Sequence, residues 1–164
     1  MSLYTKEERA RRDASGWTLV QGVLAPIQFL VFLVSAALVV RFLITGNGFA
    51  AATISVLIKT LVLYTIMITG CIWERAVFGR YLFAPAFFWE DFVSMFVLAL
   101  HTAYLGALAF GSLHARYQMY LALLAYSAYL LNATQFVVKL RRARLDGQTG
   151  DKPDAASDGE ALFI

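Results

Sequence analysis

The sequence predicts an all-α integral membrane protein, with four transmembrane helices in an antiparallel bundle and both termini cytoplasmic. Three observations carry this. Of 164 residues, 60% are hydrophobic and only 15% charged, against about 45–50% and about 25% in a soluble domain. From Ala14 to Val40 the chain has no charged residue, and a helix of roughly 20 apolar residues crosses a bilayer. The positive charges flank the apolar runs instead of dispersing among them, as topology signals do. The net charge of +3 is therefore not read as a nucleic-acid footprint.

The first 16 residues form a cytoplasmic arm. The first span covers about 17–44, long enough to tilt or to carry an interfacial turn before Pro26. It exceeds a signal-peptide core of about 7–15 residues, and no small-residue cleavage site closes it, so it is expected to stay in the protein. Gly46-Asn47-Gly48 is a tight turn, since both glycines accept positive φ. The second span covers about 49–73, interrupted by Lys59. Glu74 to Ala86 reads as a polar-aromatic loop. The third span covers about 87–110, and a short link leads to the fourth, about 117–140. These four spans make up a transmembrane domain over 17–145. The remainder, 146–164, is rich in Gly, Asp, Ser and Ala, and reads as a disordered tail.

Lys and Arg set the orientation. Lys6, Arg9, Arg11, Arg12, Arg75, Arg80, Lys139, Arg141, Arg142, Arg144 and Lys152 fall on one side, against Arg41 and Arg116 on the other. That asymmetry places both termini inside. The single cysteine, Cys71, excludes an internal disulfide and a cysteine-cluster metal site.

Ionisable groups inside a span are costly, so each is a functional candidate. Here these are Lys59, Glu74, Glu90, Asp91 and His101, with the amides Gln28 and Asn132 beside them. Glu90 and His101, eleven residues apart, return to one helical stripe, with ~16 Å of rise between them. Asp91 points about a quarter turn away. Lys59 and His101 fall near the midplane, and the three acids in the cytoplasmic half. This suggests a pocket opening to the cytoplasmic side, with a basic and imidazole floor and Trp73 and Trp89 among the aromatics at its mouth.

Plainer readings compete with these. Acids in a helix's first turn offset its dipole, aromatics form interfacial belts, amides bridge helices, and a lysine can snorkel. No phosphate loop, paired membrane histidines or nucleophile triad is present. What remains is acid–base chemistry: a carboxyl group kept neutral by an apolar pocket can donate a proton. The residues alone thus reach a pocket for a large, flat, apolar ligand, with proton transfer available. A pigment carrier and a small proton-coupled transporter fit the same groups.

The stretches Trp17–Ser35, Lys59–Met67, Gly70-Cys-Ile-Trp-Glu74, Leu82-Phe-Ala-Pro-Ala-Phe-Phe-Trp-Glu-Asp91 and Ala99-Leu-His-Thr-Ala-Tyr104 resemble the 3-vinyl (2-vinyl in older numbering) bacteriochlorophyllide hydratases over about residues 1–145. These are small membrane proteins of anoxygenic phototrophs. The resemblance implies a hydro-lyase of bacteriochlorophyll a biosynthesis, which adds water to the C3-vinyl group of a chlorophyllide-type macrocycle to give a 3-(1-hydroxyethyl) group. It implies a bacterial inner-membrane location, a magnesium-bearing tetrapyrrole and water as partners alongside lipid, and no cofactor of the protein's own. It also admits contact with other pigment-pathway enzymes. Within that frame Glu90 is the expected acid, and Asp91 or Glu74 handles water. His101 is expected to ligate the substrate magnesium or hold a carbonyl. Lys59 is expected to receive the propionate or ring-E carbonyl region, and Trp89, Trp73, Asn132 and Gln28 to line the substrate.

Overall fold

The structure is a computed structural model that describes residues 3–149, with side chains described through residue 142. Five helices make up the described chain: α1 (Lys6–Ala14), α2 (Gly16–Thr45), α3 (Phe49–Phe78), α4 (Phe88–Phe110) and α5 (Ala115–Thr149). α2 to α4, and α5 as far as Arg142, are long and apolar enough to span a bilayer.

The polarity of this bundle is inverted relative to a soluble domain. Leu19, Leu61, Leu131 and Phe110 are well exposed, whereas Gln28, Ser35, Ser55, Lys59, Glu74, Glu90, Asp91, His101 and Asn132 are buried. A surface that presents leucine and phenylalanine outward on every long helix is stable in hydrocarbon and not in water. The chain is a multi-pass membrane protein.

Helix ends follow local chemistry. Gly46 and Gly48 take left-handed φ values of 72° and 89°, so the α2–α3 link closes in three residues at little steric cost. Pro26 lies within α2 without interrupting it, so of the two alternatives, a tilted span or an interfacial turn before Pro26, the turn does not form. α3 runs one further turn past Trp73 to Phe78, where Gly79 at φ 78° caps it. Glu74 is therefore a helical residue, not a loop residue. The arm also folds. Thr5 caps α1, accepting from the Glu8 amide while the Glu8 carboxylate accepts from the Thr5 amide at 2.8 Å; this is a capping box. α5 continues to Thr149, four residues into the segment read as a tail; residues 150–164 lie outside the described residues.

Interhelical pairs fix the register. Trp73 Nε1 donates to Thr18 Oγ1 at 2.9 Å and Gln21 donates to Thr69 at 2.8 Å. Ser35 Oγ meets Ser55 Oγ at 2.7 Å and the Tyr126 hydroxyl at 2.5 Å, tying α2, α3 and α5 together. Asn132 donates to Ser94 Oγ at 2.7 Å between α5 and α4. Around these pairs pack Phe32, Val39, Val56, Val97, Tyr104, Met119 and Tyr129. A second cluster, Tyr4, Val77 and Phe87 against Trp73, Phe78 and Phe136, docks the N-terminal arm on the ends of α3, α4 and α5.

The Ser35 hydroxyl serves two buried partners at once; Ser35→Ala strands the Tyr126 hydroxyl and leaves Ser55 with its bond to the Ala52 carbonyl alone. Each unsatisfied buried group costs about 1–3 kcal/mol. Ser35→Ala is expected to lower stability by about 2 kcal/mol in denaturant unfolding of the detergent-solubilised protein, and exposed Ser127→Ala by at most about 0.5 kcal/mol. Equal effects would show that the triad does not tie the helices.

Candidate active site

The three acids occupy one end of the bundle, and all three are buried. Glu90 and Asp91 are neighbours in the first turn of α4, yet they face different partners because consecutive helical positions diverge by ~100°. Glu90 turns to α5, where Lys139 Nζ lies 2.6 Å from its Oε2. Asp91 turns toward α3 and lies within hydrogen-bonding reach of the Glu74 carboxyl group. The extra turn of α3 makes this meeting possible, since a chain that left the helix at Trp73 would carry Glu74 into the loop.

The loop between α3 and α4 completes the arrangement. The Phe83 amide donates to Asp91 Oδ2 at 2.8 Å, and the Ala84 amide donates to Glu74 Oε2 at 3.3 Å. Two consecutive backbone N–H groups thus hold two carboxyl groups from two helices. Phe83 has φ +58°, a left-handed conformation that costs a residue bearing Cβ roughly 1–2 kcal/mol. The strain is offset by the two amide–carboxyl bonds and by packing at the loop's base, where Ala84 and Phe87 are buried. Phe87 stacks on Phe136 at 5.8 Å and lies edge-on to Trp73 at 5.7 Å. Cys71 is close enough to feel the charges of both Glu74 and Asp91.

Glu90 lines a surface groove of about 380 Å³ with Thr134, Gln135, Val138, Lys139 and Arg142. His101 does not line that groove; Ser94 and Val97, on the stripe between Glu90 and His101, are buried as the periodicity requires. Between the levels of Glu90 and His101, the Asn132–Ser94 bond joins α5 to α4. Trp89 is exposed on the outer face of α4, while Trp73 is half-buried in the aromatic cluster. Asn132 Oδ1 and Gln28 Oε1 are buried without hydrogen-bond partners among the described residues.

A second polar centre lies deeper. Lys59 and His101 are both fully buried. Lys59 Nζ sits 3.8 Å from the centroid of the Tyr129 ring, a cation–π contact, and has no hydrogen-bond partner among the described residues. His101 Nδ1 lies 2.9 Å from the Val97 carbonyl. A carbonyl only accepts, so Nδ1 carries the hydrogen and Nε2 is the bare nitrogen. Nε2 has no partner among the described residues either, and the Lys59 ammonium is close enough to act on the ring.

Of the residues read from the sequence, the structure brings Glu74 and Asp91 together, and buries Lys59 and His101 near enough for the Lys59 charge to act on the ring. It gives Glu90 a cationic partner of its own. Sequence reasoning did not single out the Lys139 pairing or the two loop amides. Lys139 carried a signal, as a cation late in the last span. The amides carried none, because nothing in Leu-Phe-Ala-Pro announces a left-handed phenylalanine.

The family model for 2-vinyl bacteriochlorophyllide hydratase matches residues 4–142. The chain is 65% identical over 150 residues to the 2-vinyl bacteriochlorophyllide hydratase of Rhodobacter capsulatus, spanning 92% of this chain and 87% of that protein. It is 66% identical over 144 residues to the protein of the same name from Cereibacter sphaeroides, spanning 88% and 89%. No solved structure matches.

The Glu90–Lys139 pair has a measurable signature. Removing the lysine alone leaves a buried carboxylate without its cation. Lys139→Met is expected to cost about 2–3 kcal/mol of stability, and adding Glu90→Gln is expected to restore much of it. A double-mutant cycle in detergent unfolding reads this coupling, and strictly additive costs would dissolve the pair.

Proposed function

The chain belongs to the 2-vinyl bacteriochlorophyllide hydratase family, and from that premise we propose that the Glu74–Asp91 carboxyl pair is its acid–base centre. The activity is hydration of the vinyl group of a bacteriochlorophyllide, a hydro-lyase reaction of bacteriochlorophyll synthesis. One observation carries the site assignment: two carboxyl groups from different helices share one interior point, each held by a backbone amide.

Hydration needs a proton on one carbon and a hydroxyl on the other. Two carboxyl groups that share a single proton supply both functions. The neutral member donates H⁺ to the terminal vinyl carbon. The cation then sits on the carbon attached to the ring, where the macrocycle delocalises it. Water adds there, and its surplus proton passes to the ionised member. The pair ends with one proton, as it began, with the roles exchanged.

Glu90 suits the acid's role less well than its sequence position suggests. Its carboxylate is committed to Lys139 at 2.6 Å, and an ion-paired carboxylate has no proton to give. Its contribution is electrostatic, since Glu90 and Lys139 both lie close enough to act on Asp91. Trp73, Phe87 and the loop aromatics supply flat apolar surface for a macrocycle, and Asn132 and Gln28 offer unpaired acceptor oxygens within the interior.

The magnesium belongs to the substrate. The bare Nε2 of His101 is the form of imidazole that ligates a metal. However, Asp91 and His101 are ten residues apart, ~15 Å of rise. The vinyl group lies only one pyrrole ring from the metal. A macrocycle with its vinyl group at the carboxyl pair therefore keeps its magnesium well short of His101 and brings its far edge toward that level.

The membrane arrangement follows the same reading. The pairs Phe42–Phe49, Ser35–Ser55, Gln21–Thr69 and Thr18–Trp73 descend on α2 as they ascend on α3, which supports an antiparallel bundle. The charge asymmetry of the flanks supports cytoplasmic termini in a bacterial inner membrane. Lipid covers the exposed apolar faces.

Glu74→Gln and Asp91→Asn are each expected to lower hydration by about 10²–10⁴-fold, and Glu90→Gln by about tenfold or less. The readout is pigment mass, which rises by one water on turnover. Wild-type rates in both Glu74→Gln and Asp91→Asn would sink the assignment. For topology, a phosphatase fused after residue 142 is expected to be inactive and a fluorescent protein there bright; the opposite result would invert the bundle.

A further inference from the structure

Lys59 is the least explained residue of the interior. It is fully exposed neither to water nor to a counter-ion: its relative exposure is 0%, and among the described residues its ammonium has only the Tyr129 ring. A cation inside a bilayer is retained where a partner or a function offsets its cost. The acids of the bundle cannot be that partner. Glu90 is paired with Lys139, while Glu74 and Asp91 are held by loop amides at the other end. Along α3 the fifteen residues from Lys59 to Glu74 rise ~22 Å.

His101 sharpens the specification. Its Nδ1–H is spent on Val97, so Nε2 is an acceptor without a donor. A ligand that fits both groups must accept from Lys59 and be able to donate to His101. A carboxyl group does both: one oxygen accepts an N–H from Lys59, and the other, when protonated, donates to Nε2. A keto oxygen or an ester satisfies Lys59 only.

We propose that Lys59 and His101 form a specificity site for the substrate's free side-chain carboxyl group, so that the protein discriminates the free acid from its esters. This rests on the hydratase reading above, in which the vinyl group occupies the Glu74–Asp91 end. The spacing suits that reading. The ~15 Å of rise between Asp91 and His101 on α4 is the scale of a macrocycle plus its carboxyl arm. One end of the interior carries two carboxyl groups and takes a vinyl group; the other carries two nitrogens and takes a carboxyl group. The substrate is thereby oriented by its ends. Esterification leaves the vinyl chemistry intact and removes the O–H donor that the deep site reads.

The test compares kcat/KM for one vinyl-bearing macrocycle as the free acid and as its methyl ester, with protein in native membranes. Wild type is expected to favour the free acid by at least about tenfold. Lys59→Met is expected to reduce that preference at least about tenfold, chiefly through KM for the acid, and Lys59→Arg to retain part of it. Equal wild-type use of acid and ester overturns the proposal, whatever the variants do. An undiminished preference in Lys59→Met overturns it as well. Should Lys59→Met fail to accumulate, His101→Gln supplies the same comparison from the other helix, and an undiminished preference there has the same force. Failure of wild type to hydrate either pigment would instead refute the hydratase reading.

Discussion

Inside a bilayer a polar side chain finds no water, so its partner must come from another helix or from its own backbone. That constraint organises this molecule. The polar groups of α2 to α5 are turned inward, and most of them meet across a helix boundary: Thr18 with Trp73, Gln21 with Thr69, Ser35 with Ser55 and Tyr126, Ser94 with Asn132, Glu90 with Lys139. Packing alone would hold apolar helices together in several registers, because lipid is as apolar as the helices themselves. The pairs select one. Sliding α2 by a single turn against α3 would break three of them at once, each break leaving a donor or acceptor in hydrocarbon.

The same constraint explains why the carboxyl pair is built from three pieces. A single helix cannot place two acids in contact unless they are three or four residues apart, and here the acids come from α3 and α4. They meet because α3 persists to Phe78 and because the returning loop is short and pinned by buried Ala84 and Phe87. The left-handed Phe83 is the cost of aiming two successive amides inward. Sites that need a preorganised donor set commonly hold strain of this kind, since reorganising dipoles during the reaction would cost more.

What was legible in the sequence divides along the same line. The four spans, the Gly46–Gly48 turn and the inward placement of Lys59, Glu90, Asp91 and His101 follow from composition and periodicity, which are local. Helix α1 was missed in the arm, although its capping box has a local signature, Thr5-x-x-Glu8. The end of α3 was harder. Glu74-Arg75 looks like the point where a span leaves the membrane, whereas the helix ends at the first residue able to take left-handed φ, Gly79. The division of labour between Glu90 and Asp91 was not legible at all. Adjacent acids differ only in which neighbouring helix each one faces, and that depends on the arrangement of α3 and α5 around α4.

The distribution of charge then becomes an argument about the ligand. Three acids and Lys139 gather at one end, where each acid has a donor; a bare imidazole nitrogen sits ~15 Å of rise away along α4 and a lysine ~22 Å away along α3, each without a hydrogen-bond partner among the described residues. A bundle selected for stability alone would replace Lys59 with an apolar residue of similar volume, because an unpaired buried cation costs more than packing recovers. Lys59 nonetheless is fully buried, with its ammonium over the Tyr129 ring. Lys59 Nζ and His101 Nε2 are thus left without hydrogen-bond partners among the described residues. These unpartnered groups lie away from the carboxyl pair, with ~15 Å of rise between Asp91 and His101 on α4. An enzyme whose substrate is flat and nearly featureless must recognise it by its few polar edges, and on the proposed reading the two ends of this interior meet two of them with different chemistry.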